Sequence, residues 1–378
     1  MLDFTDTSYH IVFGCDDNYA KYAAVTMQSI IMAISSNAKL GGGQDNNTQD
    51  EHTLDSPQSS AKSQDSQPRA IATLPISFHL LCDTLRPSTQ HKLCTLESTL
   101  NAHYPCTITL HPQSQEEFSN LTPWGEAGAN WCAYFRLKIG DVLDSNIMRC
   151  VYLDVDTLVL GDIRELLMSD LGGKAIGAVR NISSDVDIVR DRVVAAQEYC
   201  NSGVLLIDLP KWRAKDFTQI QNFAYTRVAD QDFVNFIFRG EIHTLPLRWN
   251  FQWLHVSRLD FEGAAHRYER DGIQVLPCAY SLEIFTHALR NPTIVHMLGG
   301  YKPWEKINFA THGKPIFRTN PYHKHWWRIA RKNVFYPQIL LPYLKRSANI
   351  TLSAYTKAYA PILYPIARKL KHLLTRRK

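Results

Sequence analysis

The sequence predicts an α/β fold, with helices packed on a mostly parallel sheet. Three observations carry this expectation: short apolar runs alternate with helical periodicities over residues 9–160, the run Val151-Tyr-Leu is continuously apolar, and that run stops at an acidic triplet beginning with Asp154. A continuous apolar strand suits a sheet covered on both faces. In open α/β folds ligands gather outside the carboxyl ends of such strands.

Taken in order, Tyr9-His-Ile-Val-Phe-Gly14 reads as a strand that ends in the polar cluster Cys15-Asp16-Asp17-Asn18-Tyr19. A helical spacing through Ala24, Met27, Ile30 and Ile31 follows. Residues 41–69 are Gly, Gln, Asn, Asp and Ser with Leu54 nearly the only large apolar side chain, and a disordered insertion is expected there. A second strand begins at Ile76, a helix is expected near 87–102, and a third strand near Cys106. Beyond about residue 315 the pattern turns aromatic and basic, broken by Pro321, Pro337, Pro342, Pro361 and Pro365. The chain therefore divides into a catalytic-sized domain at 1–315 and a helical extension at 316–378.

With 378 residues, 45% hydrophobic and 11% aromatic, the chain can bury a full core, which excludes disorder and fibrous repeats as explanations. The eight cysteines are scattered without a C-x-x-C pair, so they read as buried small hydrophobes in a reducing compartment. The acidic start lacks the basic and apolar regions of a signal peptide, and no run of about 18 apolar residues occurs. Charge is divided unevenly: residues 301–378 hold 17 Lys+Arg against the single acid Glu305, while the remainder is acidic, with 35 Asp+Glu against 24 Lys+Arg. A nucleic-acid partner ranks low, because no recognisable binding module accompanies the basic tail.

The chemistry centres on Asp154-Val155-Asp156. In an extended segment these two carboxylates point the same way, about 7 Å apart, where a hard divalent cation could join them. Alone the triplet is weak, since D-x-D also occurs as turns and helix caps. His296 closes another apolar run and precedes Gly299-Gly300-Tyr301-Lys302-Pro303-Trp304. An imidazole there could complete a metal site while glycine N–H groups and Lys302 meet phosphate, against the plainer reading of a core histidine before a turn.

Together Asp16-Asp17-Asn18-Tyr19, Tyr134-Phe-Arg136-Leu, Tyr152-Leu-Asp154-Val-Asp156-Thr157, Asn201-Ser-Gly203-Val-Leu-Leu, Asp230-Gln231-Asp232 and His296-x-x-Gly299-x-x-Lys302-Pro-Trp resemble glycosyltransferase family 8, in that family's order. The segment Pro321–Tyr336 is similar to the C-terminal extension of lipopolysaccharide-core glucosyl- and galactosyltransferases of Gram-negative bacteria. The resemblance implies a GT-A type, Rossmann-like fold and a retaining hexosyltransferase that uses a UDP-sugar. It assigns Asp154, Asp156 and His296 to Mn²⁺, with Mg²⁺ as the substitute ion. Asp16, Asn18 and Tyr19, with the backbone near Gly14, would receive uridine and ribose, and Gly299 with Lys302 the diphosphate. Arg136, Asn201, Asp230 and Gln231 would line the donor sugar, the last two as the catalytic pair, and Val155 counts among the donor-binding residues.

Gly177-Ala-Val-Arg180-Asn181 departs from related galactosyltransferases, which carry an acidic residue there, so glucose and galactose both stay open. The basic tail, with Trp326, Trp327, Tyr336, Tyr343 and Tyr364, suits an anionic membrane surface and a glycolipid acceptor. Location on the cytoplasmic face of a Gram-negative inner membrane is expected. The rival is a catalytically silent, membrane-attached protein that only binds sugar nucleotides.

Overall fold

The computed structural model describes residues 6–41, 73–121, 123, 130–185, 198–223, 229–253, 258–270, 273–298, 302–305 and 322–359. In chain order, β1 (Tyr9–Cys15) leads into α1 (Ala20–Gly41), β2 (Ile76–Cys82) into α2 (Pro87–Asn101), and β3 (Cys106–Pro112) completes this layer. A 3₁₀ turn at Cys132–Lys138 and α3 (Ile139–Val142) precede β4 (Arg149–Leu153), β5 (Thr157–Val159) and α4 (Arg164–Leu167). Then come β6 (Ile176–Arg180), β7 (Cys200–Asp208), α5 (Leu209–Arg213), α6 (Ala229–Ile237) and β8 (Ile242–Thr244). The short strands β9 (Phe251–Gln252), β10 (Leu259–Asp260), β11 (Tyr268–Arg270) and β12 (Ile273–Pro277) lead to α7 (Leu282–Arg290), β13 (Ile294–His296), α8 (His323–Ala330) and α9 (Tyr336–Tyr359). The insertion expected at 41–69 lies outside the described residues except for Gly41, which ends α1.

A seven-stranded sheet, ordered β3-β2-β1-β4-β7-β6-β8, is the frame. Its strands run parallel except β7, which is antiparallel to both β4 and β6. The mostly parallel sheet expected from the sequence is thus present, with one antiparallel strand. The strand order reverses between β1 and β4, so their following loops diverge and leave a crevice at the carboxyl edge. Because β7 runs the other way, its first residues, Asn201 to Gly203, reach that same edge.

Side chains of period two divide the core between the sheet's faces. Ile11, Phe13, Phe78, Leu80, Val151 and Leu206 face α1 and α2, while Val12, Leu81, Cys150, Tyr152 and Leu205 face the 3₁₀ turn and α6. α1 is buried almost all round from Ala20 to Ile31. The reason is a third layer: Trp326, Ile329 and Ala330 of α8, with Phe335 and Ile339, join the same core cluster on the far side of α1. The first part of the C-terminal extension is therefore integral to the domain's packing, and Trp326, grouped above with membrane-facing aromatics, is wholly buried. All eight cysteines are free, and six are buried as expected; Cys94 is exposed on α2 and Cys278 half-buried.

Three histidines cross the strands β1, β2 and β3 on one face. Nδ1 of His10 lies 3.0 Å from Nε2 of His79, and Nδ1 of His79 lies 3.0 Å from Nε2 of His111. Burial pushes all three below the usual histidine value of 6.5, and the two neighbouring rings help bring His79 to about 3. Such groups stay neutral when folded but take up protons once unfolded. Their contribution is complete above pH 6.5 and is lost progressively as pH falls toward about 3. The expected outcome is an unfolding midpoint that falls on acidification below pH 6.5, with a shallower fall in His79→Phe; an equal slope in both proteins would refute this assignment.

Candidate functional site

The acidic triplet does not continue β4. After Leu153 the chain turns, with Thr157 Oγ1 donating to Asp154 O at 2.8 Å, and Val155 buries its side chain in the core. Thr26 of α1 donates its hydroxyl to Val155 O (3.2 Å) and Thr157 O (2.8 Å), which pins the turn from below. The extended geometry expected from the sequence is therefore replaced by a turn. Any part Val155 plays toward a ligand falls to its main chain.

His296 arrives from far along the chain because β13 pairs antiparallel with β5, placing it opposite Thr157, and Met297 N donates to Asp156 O at 3.0 Å. Its Nε2 lies 3.2 Å from Asp156 Oδ1 and 3.7 Å from Asp154 Oδ2. One ligand atom from each of Asp154, Asp156 and His296 falls within 4.8 Å of the others, the one such group of His, Cys, Asp or Glu among the described residues. Two carboxylates and an imidazole suit a hard or borderline divalent cation.

Two neighbours shape this cluster. Nδ1 of His296 lies 3.1 Å from Asn250 Oδ1, so the ring donates there and leaves the Nε2 lone pair facing the carboxylates. A Cβ at Gly203 would collide with His296 Cε1 and stand 2.7 Å from Asp154 Oδ2, so only glycine leaves room for both side chains. Asn250 escaped the sequence reading: it stands in no motif, and only β9 pairing with β13 carries it to the histidine. Gly203 was visible in Asn201-Ser-Gly203, though its steric reason was not.

Lys302 places Nζ 3.2 Å from Asp156 Oδ2. Burial works to raise the Asp156 carboxyl, but Lys302 and then His296 hold it well below the usual carboxylate range. Asp156 in turn raises the Lys302 ammonium against the effect of burial. Both charges thus persist near neutrality.

Arg136, only 3% exposed, lies beneath Asp154. Its Nη2 donates to Asp154 Oδ1 (2.9 Å), Nη1 to Ser202 O and Oγ (2.7 Å each), and Nε pairs with Asp230 Oδ2 at 3.2 Å. Burial opposes its charge, but Asp154 and Asp230 raise its pKa overall. The guanidinium is a support for two carboxylates, engaged through all three nitrogens. Asp230, Gln231 and Asp232 occupy the first turn of α6 and are all buried, so Asp230 is no solvent-facing cap. Gln231 Oε1 accepts from Asn201 Nδ2 (2.9 Å) and Ser202 N (3.1 Å), while its Nε2 donates to Tyr199 OH (3.1 Å).

Across the crevice, Asp16 Oδ1 accepts from Tyr19 N (2.8 Å) and its Oδ2 from Asn130 Nδ2 (3.0 Å); burial raises its pKa. Asn18 and Tyr19 are exposed on the rim. Gly14 allows close approach, since a Cβ there would lie 3.1 Å from Cys132 O. Asp17 is held instead by Arg86, through its backbone N–H (2.9 Å) and its guanidinium. Gly299 lies outside the described residues.

An open α/β sheet with an Asp-x-Asp turn and a distant histidine at its switch point defines a GT-A glycosyltransferase fold. The solved structure of galactosyltransferase LgtC, in complex with donor and acceptor sugar analogues, matches with a TM-score of 0.57 at 21% identity, covering 86% of this chain and 96% of that one. Residues 10–308 match Glycosyl transferase family 8, and the chain belongs to that family. A lipopolysaccharide 1,2-glucosyltransferase of Escherichia coli is 23% identical over 353 residues, 86% of this chain and 81% of the relative. General stress protein A of Bacillus subtilis (strain 168) is 29% identical over 181 residues, 46% of this chain and 58% of the relative. A second lipopolysaccharide 1,2-glucosyltransferase, of Escherichia coli (strain K12), is 26% identical over 186 residues, 46% of this chain and 49% of the relative. In these last two the matched stretch spans about half of the relative's own length.

Gly203→Ala is expected to weaken Mn²⁺ binding, measured by calorimetry, by roughly 10- to 100-fold or more, and Asn250→Leu by roughly 10- to 100-fold. Unchanged affinity in both would remove the cluster as a metal site.

Proposed function

We propose that this chain is a retaining, Mn²⁺-dependent hexosyltransferase. It moves glucose or galactose from a UDP-sugar to a lipopolysaccharide or lipooligosaccharide core acceptor. The convergence of Asp154, Asp156 and His296 around one small volume, with Lys302 on the same carboxylate, carries this reading. The relatives that act on lipopolysaccharide support the acceptor class.

A divalent cation bound by Asp154, Asp156 and His296 would supply positive charge to the diphosphate of the donor. Lys302 adds a second, full positive charge on a flexible stem, so the leaving nucleoside diphosphate needs no acid catalyst. Retention requires either a covalent intermediate or attack from the face the diphosphate leaves. The Gln231 amide is a poor nucleophile, and Asp230 is tied to Arg136 in a buried pair, which favours front-face transfer. In that step the acceptor oxygen bonds to the anomeric carbon as the bond to the diphosphate breaks. The acceptor's proton passes to a diphosphate oxygen, and Asp230 and Gln231 stabilise the electron-poor sugar.

The extension supports attachment to an anionic membrane face, here read as the cytoplasmic side of a Gram-negative inner membrane. No helix among the described residues is long and apolar enough to cross a membrane. α9 exposes Leu341 (65%) and Leu344 (50%) beside Lys345, on a segment rich in basic residues.

With a panel of UDP-sugars and truncated core acceptors, Mn²⁺-dependent transfer from UDP-glucose or UDP-galactose is expected, and abolished by chelation or by Asp156→Asn. Consumption of no UDP-sugar under any divalent metal would defeat the reading in favour of a silent binder. Asp230→Asn should yield no glycosylated enzyme by intact mass spectrometry; a trapped adduct would overturn front-face transfer. Truncation after Leu340 spares the core residues Trp326, Phe335 and Ile339 and removes Leu341, Leu344 and Lys345 with the basic tail. It should abolish binding to anionic vesicles while transfer to a soluble acceptor persists, and undiminished vesicle binding would remove the membrane role.

A further inference from the structure

We propose that Trp326 and Trp327 of α8 are positioning residues for Lys302, so that the C-terminal segment completes the phosphate-gripping arm of the site. The inference rests on the donor reading above and asks what holds that arm in place.

Lys302–Glu305 has no regular secondary structure; within it Glu305 N donates to Lys302 O at 3.1 Å, closing a turn. Lysine is a point charge on a four-carbon stem, and its aim is set only as well as its backbone is fixed. Two contacts from α8 supply that constraint. Trp327 Nε1 donates to Pro303 O at 3.2 Å, gripping the residue directly after the lysine. Trp304 is stacked on the Tyr22 ring, with centroids 3.9 Å apart and planes 13° from parallel, and Trp326 closes on it at 5.1 Å.

The two tryptophans act differently. Trp326 is wholly buried, and its indole N–H has no acceptor among the described residues, so it contributes contact area. Trp327 is half-buried and contributes a directed hydrogen bond, while its ring lies 4.8 Å from Tyr343. The turn after α8 is itself fixed to α1: Asn333 Nδ2 donates to Ala24 O (3.0 Å) and Gln28 Oε1 (2.8 Å). Tyr22 also meets Tyr19 edge-on at 5.5 Å. A continuous aromatic row, Tyr19–Tyr22–Trp304–Trp326, thus joins the loop after β1, the lysine segment and the C-terminal helix.

The test is a double-mutant cycle on the full chain, with UDP affinity measured by calorimetry in Mn²⁺. Trp327→Phe keeps the ring and removes the hydrogen bond. UDP should bind about fivefold more weakly, as expected for one neutral hydrogen bond. The unfolding midpoint should stay within about 2 °C of wild type. In a Lys302→Ala background the same change should cost no further affinity, because its effect runs through the lysine. Wild-type affinity in Trp327→Phe, or an equal loss in both backgrounds, would overturn the proposal. A wild-type chain that binds no UDP at all would instead sink the donor reading, and this inference with it.

Discussion

Arg136 carries a full positive charge in the interior, and the acidic side of the site exists because of it. Asp154 and Asp230 come from opposite ends of the catalytic region, one after β4 and one on α6, yet both converge on this one guanidinium. Removing two carboxylates from water is costly unless the partner is close and well directed, and breaking one member of such a group is more damaging than replacing all of it. The remaining donors bind Ser202, which fixes the start of β7 at the same point. The placement of Asp154, of Asp230 beside Gln231 and of the start of β7 therefore follows from one buried charge.

Around that charge the sheet acts as a jig. The reversal of strand order between β1 and β4 opens the crevice, and the single antiparallel strand β7 turns Asn201, Ser202 and Gly203 into its floor. A parallel strand in that place would have sent these residues to the opposite edge. The small sheet of β5, β13 and β9 then brings His296 to Asp156 and Gln252 beside His296. His296 is delivered by backbone pairing, which is stiff, and Asp154 and Asp156 by the turn between β4 and β5, while Asn250, Arg136 and Lys302 orient the three side chains. This is how a site keeps its shape before any ligand arrives.

The C-terminal region has two structural parts that the sequence presented as one. Its first helix is part of the core, clamped on α1 and on the lysine segment, while α9 carries exposed leucines and basic residues outward. The exposed leucines of α9 and the Lys302 segment are thereby joined through a few aromatic rings.

The strands at Tyr9, Ile76 and Cys106 and the helix at 87–101 were legible because hydrophobic periodicity is a local property, encoded within each segment. So were several residues that the fold brings together, since Asp154, Asp156, His296 and Lys302, and Asp230 with Gln231, stand in short recognisable motifs. What the sequence could not supply was direction and distance. Nothing local says that β7 runs backward, that the Asp154–Asp156 segment turns instead of extending, that Arg136 is a buried brace, or that Asn250 reaches His296. The chain's own pattern determined which segments fold and which polar residues stand at their ends; the tertiary structure decided how they meet, because pairing between strands and the balance of buried charges are settled only between parts far apart in sequence.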